Sequence, residues 1–327
     1  MDRRSVLTRA LGVAALAASS ARAAAPPVGK RRLAVLLFDR PESWAFLPPE
    51  LRTELSALGW VEDRNLTVQW RYANGDSARL RSLATDIVAS APDAILTRGT
   101  PATFALQQAT RTIPILTGLG DPIGAGFAKT FARPGSNVTG LSYAIVEASQ
   151  KRVELLRVMV PKLAFLVIVL HADRAPFALD LMRPVEATAR SIGLASRTVL
   201  VADLADLQRA LRTDRRAGEA GALIFGLGPR FDSKAVADAA LALGVPTMFE
   251  YRFYVDAGGL ASYRLDFENQ NQRTAAQIDK VFRGEKAGQI PFELPTRPEF
   301  VLNRTTARSL GIALPQSLLL QANTVIE

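Results

Sequence analysis

The chain has 327 residues, 48% apolar and 22% charged, with 40 Lys+Arg against 31 Asp+Glu and a formal charge of +9. That balance belongs to a folded globular protein of about two domains and excludes a disordered or fibrous chain. There is no cysteine, and His171 is the one histidine. Disulfides, thiol nucleophiles, Cys-ligated zinc, iron–sulfur clusters and multi-histidine metal sites are thereby removed, and no cofactor is expected.

Residues 1–23 read as an export signal. Arg3 and Arg4 form a charged start, Ala10 to Ala21 are apolar or small, and Ala21-Arg22-Ala23 fits a cleavage site that makes Ala24 the new N-terminus. The apolar stretch is shorter than the roughly 20 residues of a spanning helix. Arg3-Arg4 followed by Ser5, Val6 and Leu7 is a partial twin-arginine (Tat) pattern, with Val6 and Thr8 departing from it, so Tat and Sec export both stay open. No cysteine follows, which excludes a lipoprotein, and the expected location is the periplasm. Cleavage leaves a charge of about +6, and the longest basic cluster is Lys30-Arg31-Arg32. No Lys/Arg block alternates with aromatics, so neither nucleic acid nor stable membrane insertion is expected.

Residues 33–38 (LAVLLF) are a continuous apolar run, as in a parallel strand covered on both faces. Leu51, Leu55 and Leu58 then recur at helical spacing until Gly59. Strands are predicted at 66–72, 93–97 and 112–117, with helices at 76–90 and 101–110 between them. The pattern restarts with a helix at 148–159. Strands follow at 163–170, 196–201, 221–226 and 245–249, with helices at 176–192, 203–215 and 232–243. A strand at 258–263, a helix at about 267–283, a Pro-spaced segment with Pro291, Pro295 and Pro298, and a strand-helix at 299–310 complete the chain. This predicts an α/β protein of two doubly wound parallel-sheet lobes, with the extra strand and helix returning to the first sheet.

Ligands of open α/β sheets bind at the carboxyl ends of the strands. These ends carry Phe38-Asp39-Arg40, Arg98-Gly99-Thr100-Pro101, Gly120-Asp121, His171 and Asp173, Gly226-Leu227, and Glu250-Tyr251. Thr100 is placed to cap the next helix and Pro101 to sit in its first turn, leaving amides that attract a carboxylate; a plain helix cap that binds nothing is the alternative. Neither Gly118-Leu119-Gly120 nor Gly226-Leu227-Gly228 completes a dinucleotide fingerprint, and no P-loop or nucleophile elbow occurs. Asp121 and Glu250 suit acid/base work or the binding of a ligand ammonium. Phe38, Trp44 and Tyr251 are candidate apolar walls, whereas Trp60 and Trp70 read as packing residues.

Several segments, in order along nearly the whole mature chain, resemble the ABC transporter substrate-binding family whose characterised branch takes up tryptophan and related amino acids. They are 58–66 (LGWVEDRNL), Gly99-Thr100-Pro101-Ala102, 120–126 (GDPIGAG), 133–141 (RPGSNVTGL), 151–156 (KRVELL), 257–263 (AGGLASY), Asn303, Thr306-Ala307 and Leu310-Gly311-Ile312. The resemblance implies a type I periplasmic-binding-protein fold, with two lobes joined by a three-crossover hinge and closing on a ligand. It further implies a permease with its ATPase as partner, and a monomer.

On that resemblance, Asn137 to Gly140 form the first crossover, Gly259 to Ser262 the second and 291–298 the third, which brings Thr139 and Ser262 into the candidate ligand-binding set. The expected division is 30–140 plus 262–294 for lobe 1, and 141–261 plus 298–327 for lobe 2. Asp39-Arg40, His171-Ala172-Asp173 and Arg264 depart from the family pattern, and Arg40, Arg174 or Arg264 facing the cleft would favour a more negative ligand than an amino acid. The expected function is a periplasmic solute receptor that performs no chemistry. The alternatives are an exported two-lobed enzyme (a transferase or hydrolase) and the effector domain of a regulator.

Overall fold

The computed structural model describes residues 29–38, 49–172, 177–212, 220–224, 231–266 and 269–327. The chain begins with β1 (Arg31–Leu37), α1 (Pro49–Ala57), β2 (Leu66–Tyr72), α2 (Ser77–Ala89), β3 (Ala94–Arg98), α3 (Thr100–Ala109), β4 (Ile115–Leu119) and β5 (Val138–Ser142). These strands form a five-stranded sheet of order β2-β1-β3-β4-β5, parallel throughout. The apolar run of β1 reflects two cores, one on each face. Ala34 and Leu36 face the side of α2 and α3, whereas Leu33, Val35 and Leu37 face the side of α1.

The second half holds α4 (Ile145–Met159), β6 (Phe165–His171), α5 (Phe177–Ser191), β7 (Ala195–Val201), α6 (Leu204–Arg212), β8 (Ala220–Ile224), α7 (Ser233–Ala242), β9 (Thr247–Phe249), α8 (Arg252–Asp256) and β10 (Ala261–Asp266). Then come α9 (Gln270–Phe282), β11 (Arg297–Asn303), α10 (Arg304–Ser309), α11 (Gln316–Gln321) and β12 (Thr324–Ile326). The second sheet has the order β12-β11-β10-β9-β8-β6-β7. From β7 to β10 it repeats the winding of the first sheet. To this it adds β11, antiparallel to β10, and β12, parallel to β11.

Three differences from the sequence-based division follow. First, the strand expected to return to the first sheet stays in the second: β10 pairs Ala261 with Met248 and Ser262 with Phe249 on one side, and six residues of β11 on the other. The reason is burial, since β11 covers this edge with buried Phe300, Val301 and Leu302. Only α9 and the segment after it return, so the first-lobe piece begins near residue 269 rather than at 262. Second, Val138–Ser142 is a fully buried strand, and the first crossing falls after it at Tyr143 and Ala144. Third, Gly259 to Ser262 lies inside the second lobe, with the second crossing between Asp266 and Gln270 and the third between Glu293 and Arg297.

Helix α9 docks through Ala275, Ile278, Val281 and Phe282. Trp60 meets Phe282 edge-on at 4.9 Å, and its indole Nε1 donates to the buried Asp279 Oδ1 at 2.8 Å. Asp279→Ala leaves that N–H without an acceptor, and we expect a loss of about 1–3 kcal/mol, read from the urea unfolding midpoint. Gly140 has φ 145°, and a Cβ there would fall 1.8 Å from the Thr117 carbonyl oxygen. Gly140→Ala should cost at least about 3 kcal/mol or abolish soluble expression.

Candidate functional site

In each sheet the strand order reverses at the strand that opens it, between β1 and β3 and between β6 and β8. Sites in such sheets form at the carboxyl edge of that point. On the first lobe this edge carries Phe38, half-buried at the end of β1, and the turn from β3 into α3. Gly99, not Thr100, is the N-cap, at φ 80° and ψ 156°, and no side chain caps the helix. Thr100 is the first helical residue, and Pro101 lies in the first turn. The turn is braced from behind: Gly99 N–H donates to Gly118 O at 2.8 Å, and Thr103 Oγ1 donates to Gly99 O and lies 2.7 Å from Thr117 Oγ1. The first-turn amides of α3 thus face the carboxyl edge with the positive end of the helix dipole.

After β4, Gly120 packs where a Cβ would sit 2.9 Å from Ile145 Cδ1. Asp121 has a local use, since its Oδ1 accepts the N–H groups of Ile123 and Gly124 at 3.0 and 2.8 Å. Those bonds fix the turn and weaken its candidacy as an ammonium partner.

On the second lobe, His171 ends β6, is buried and meets Phe231 edge-on at 5.7 Å. Glu250 follows β9 and is half-buried. Tyr251 is the N-cap of α8 and stacks on Phe253 at 5.4 Å, and Phe253 is exposed. Behind Glu250 lies the buried Arg152 of α4. Its Nε donates to the Tyr263 carbonyl and its Nη1 to Ser149 Oγ. Glu250 directly follows the last pair of β9 with β10, Phe249 with Ser262, and its charge acts on that guanidinium. Burial pulls Arg152 below the usual arginine range, while Glu250 opposes that change.

Three expected site residues take other places. Thr139 is fully buried in β5, where its Oγ1 donates to Ile290 O at 2.7 Å and ties the returning segment to the sheet. Ser262 is buried inside β10, between β9 and β11. Arg264 is engaged within the chain: its Nε lies 2.8 Å from Glu299 Oε2, it also contacts Asp266, and it stands over the Tyr251 ring. Asp39, Arg40, Trp44, Asp173, Arg174, Gly226 and Leu227 lie outside the described residues.

Sequence reasoning placed Arg98 at a strand end without giving it a role, and gave none to Tyr143 or Arg152. The signal for Arg152 was present, because a charged residue there falls on the stripe of Ser149, Val153, Leu156 and Met159 that α4 buries. Tyr143 was hidden because nothing local marks a crossing. Among the described residues no cluster of three His, Asp or Glu side chains could hold a metal ion, and no helix is long and apolar enough to cross a membrane. A groove of about 380 Å³ runs along β2, the edge strand of the first sheet, from Thr67 to Arg71. Its Arg32 is engaged by the carbonyl oxygens of Ser90 and Ala91.

Two α/β lobes of the same winding, joined by three crossings with their carboxyl edges carrying the polar residues, define a bilobal ligand-binding protein. The model of the ABC transporter substrate binding protein family matches residues 51–326, and the chain belongs to that family. A tyrosine-binding protein of Clostridioides difficile is 22% identical over 266 residues, covering 78% of this chain and 73% of the relative. A conserved domain protein from Vibrio cholerae superposes with a TM-score of 0.73 at 25% identity, covering 90% of this chain and 99% of that one. An ABC domain from Streptococcus pneumoniae, solved with L-Trp, gives a TM-score of 0.70 at 24% identity, covering 91% and 100%.

Burial pushes the Tyr254 hydroxyl up to about 12, and the Glu250 carboxylate pushes the same way. The unfolded phenol titrates near 10, so the folded state keeps a proton that the unfolded chain has lost. Stability from this group is complete below about pH 10 and is lost as pH rises toward 12. Urea midpoints measured from about pH 9 to 11.5 should fall for the native chain and fall less for Tyr254→Phe. Arg152→Met removes the donor to the Tyr263 carbonyl and should cost about 1–3 kcal/mol in the same assay at neutral pH.

Proposed function

We propose that this chain receives a small amino-acid-like ligand between its lobes and hands it to an ABC permease with its ATPase, as an exported monomer that performs no chemistry. One observation carries the ligand class. The first lobe presents the uncapped start of α3, and the second presents the Glu250 carboxylate beside the stacked Tyr251–Phe253 pair. A carboxylate suits the first, an ammonium the second, and an apolar or aromatic side chain suits the rings. The family supports the transport role. The relative named as tyrosine-binding and the fold neighbour solved with L-Trp agree in ligand class. Export to the periplasm is read from residues 1–23, whose charged start, apolar stretch and small-residue cleavage site support it.

Binding to the folded state alone raises the unfolding midpoint by mass action, with about 2.7 kcal/mol at a hundredfold excess over Kd. We expect aromatic and aliphatic L-amino acids to raise the Tm of the purified chain, with sugars and nucleosides giving no shift. A hit recovered chemically altered would replace the receptor with an enzyme. Glu250→Gln should weaken amino-acid binding about tenfold or more while leaving des-amino analogues unaffected, as measured by calorimetry.

A further inference from the structure

We propose that Arg264 is a positioning residue for the side-chain end of the ligand: it holds Tyr251 in place, and so lets the second lobe tell a flat ring from an alkyl chain. The inference deepens the amino-acid-like reading above and rests on it. Phe249, the last residue of β9, pairs with Ser262 of β10, and side chains two residues apart on a strand share a face. Ser262, Arg264 and Asp266 therefore stand on the face of Phe249, and β10 continues to Asp266 beyond the end of β9. There the chain leaving β9 turns over into α8. The Arg264 guanidinium lies over the ring of Tyr251, the N-cap of that helix, 5.9 Å from the centroid.

Tyr251 belongs to a run of four rings. Phe249 and Tyr254 are stacked at 4.8 Å, Tyr254 meets Phe253 at 4.5 Å with a tilt of 37°, and Phe253 stacks on Tyr251 at 5.4 Å. The run begins in the core, where Phe249 is fully buried and Gly259 makes room for it: a Cβ there would fall 2.4 Å from Phe249 Cε2. It reaches the carboxyl edge, where Phe253 is 44% exposed. Rings attract one another beyond the area they bury only in offset-stacked or edge-on geometry, so such a wall favours a ligand ring only while its outer members keep their orientation. Phe253 is held by the buried Tyr254. Tyr251 is held by Phe253 and by the Arg264 cation, which lies within the roughly 6 Å over which a ring face attracts it.

Arg264 can orient the ring because its own plane is fixed. Glu299 pairs with it directly across on β11, and its Nε lies 2.8 Å from Glu299 Oε2. Asp266, on the same face of β10, takes its Nη2. The in-plane donors of the guanidinium are thus directed at two carboxylates of the chain, and its face is turned to the ring. The same contacts tie the ring wall to β10, the strand that leads into the second crossing.

The test is calorimetric binding to the purified chain of L-phenylalanine, L-tyrosine and L-tryptophan against L-leucine and L-methionine, with Tm measured on every variant. The native chain should prefer the ring-bearing set. Arg264→Met keeps the length of the side chain without its charge or its fork, and should reduce that preference about five- to tenfold by weakening the rings more than the alkyl chains. Arg264→Lys keeps a cation without the planar fork and should fall between. Glu299→Gln leaves Arg264 in place with a weaker anchor, and should erode the preference in the same direction.

A native chain without a preference for rings, or a preference unchanged in Arg264→Met, overturns the assignment and leaves the amino-acid reading intact. So does an equal loss of both sets in every variant, which marks a merely structural role. Should Arg264→Met fail to fold, an undiminished preference in both Arg264→Lys and Glu299→Gln overturns the assignment in the same way. Native protein that binds neither set overturns the amino-acid reading and the assignment together.

Discussion

At the joint between the lobes, two segments far apart in sequence run side by side. Glu293 N–H donates to Gly140 O, and Ser142 N–H donates to Glu293 O. Helix α9 clamps the pair: Gln277 reaches both Gly140 O and Glu293 Oε1, and Arg273 binds Glu293 Oε2 at 2.6 Å. The arrangement requires β5 to lie closer to β4 than a side chain at 140 would permit. It joins the first and third crossings into one ribbon and sends the second crossing into the helix that braces them. The rest of the molecule follows from this joint. Because α9 must stay beside the ribbon, it covers the first sheet, and Trp60 has Asp279 to bond.

The start of α3 has bracing of its own. Gly99, Thr103 and Thr117 form a chain of hydrogen bonds behind the start of α3, and Asp121 orders its own turn. The chain is less relaxed where it enters the helices after the crossings. Ala144 and Asn269, the N-caps of α4 and α9, are both left-handed, at φ 47° and 58°. Asparagine tolerates that region through its side chain, but alanine has no such means, and the conformation costs about 1–2 kcal/mol. Strain of this kind persists only where the surroundings over-determine it, and here it sits at the points about which the lobes would turn.

Most strands were legible because a sheet covered on both faces needs apolar residues without alternation, and LAVLLF and LAFLVIVL supply them. The strand at 138–142 was not, because Thr139 and Gly140 look like linker residues until Thr139 is seen to hold Ile290 and Gly140 to admit Thr117. The place of β10 was illegible for a different reason. A short strand carries no mark of which sheet it joins, and the choice was made by β11, some thirty residues later. The candidate site was legible as a set of strand ends, since topology alone determines those. Side-chain use was not: Arg264 looked like a cleft cation and is matched by Glu299 and Asp266.

A receptor of this design closes only if the ligand binds the closed form better than the open one, and a ligand that touches one lobe binds both forms alike. Its recognition groups must therefore be divided between the lobes. On the proposed reading, the division follows the two charges of a zwitterion. The start of α3 stands on the first lobe, and Glu250, the residue after β9, stands on the second. An anion alone would satisfy the first lobe and leave the Glu250 side without a cation, favouring binding without closure. An amine alone would do the reverse. Only a ligand carrying both charges gains from bringing the edges together, so selectivity for an amino acid over its one-charge analogues and the closing motion have the same physical origin.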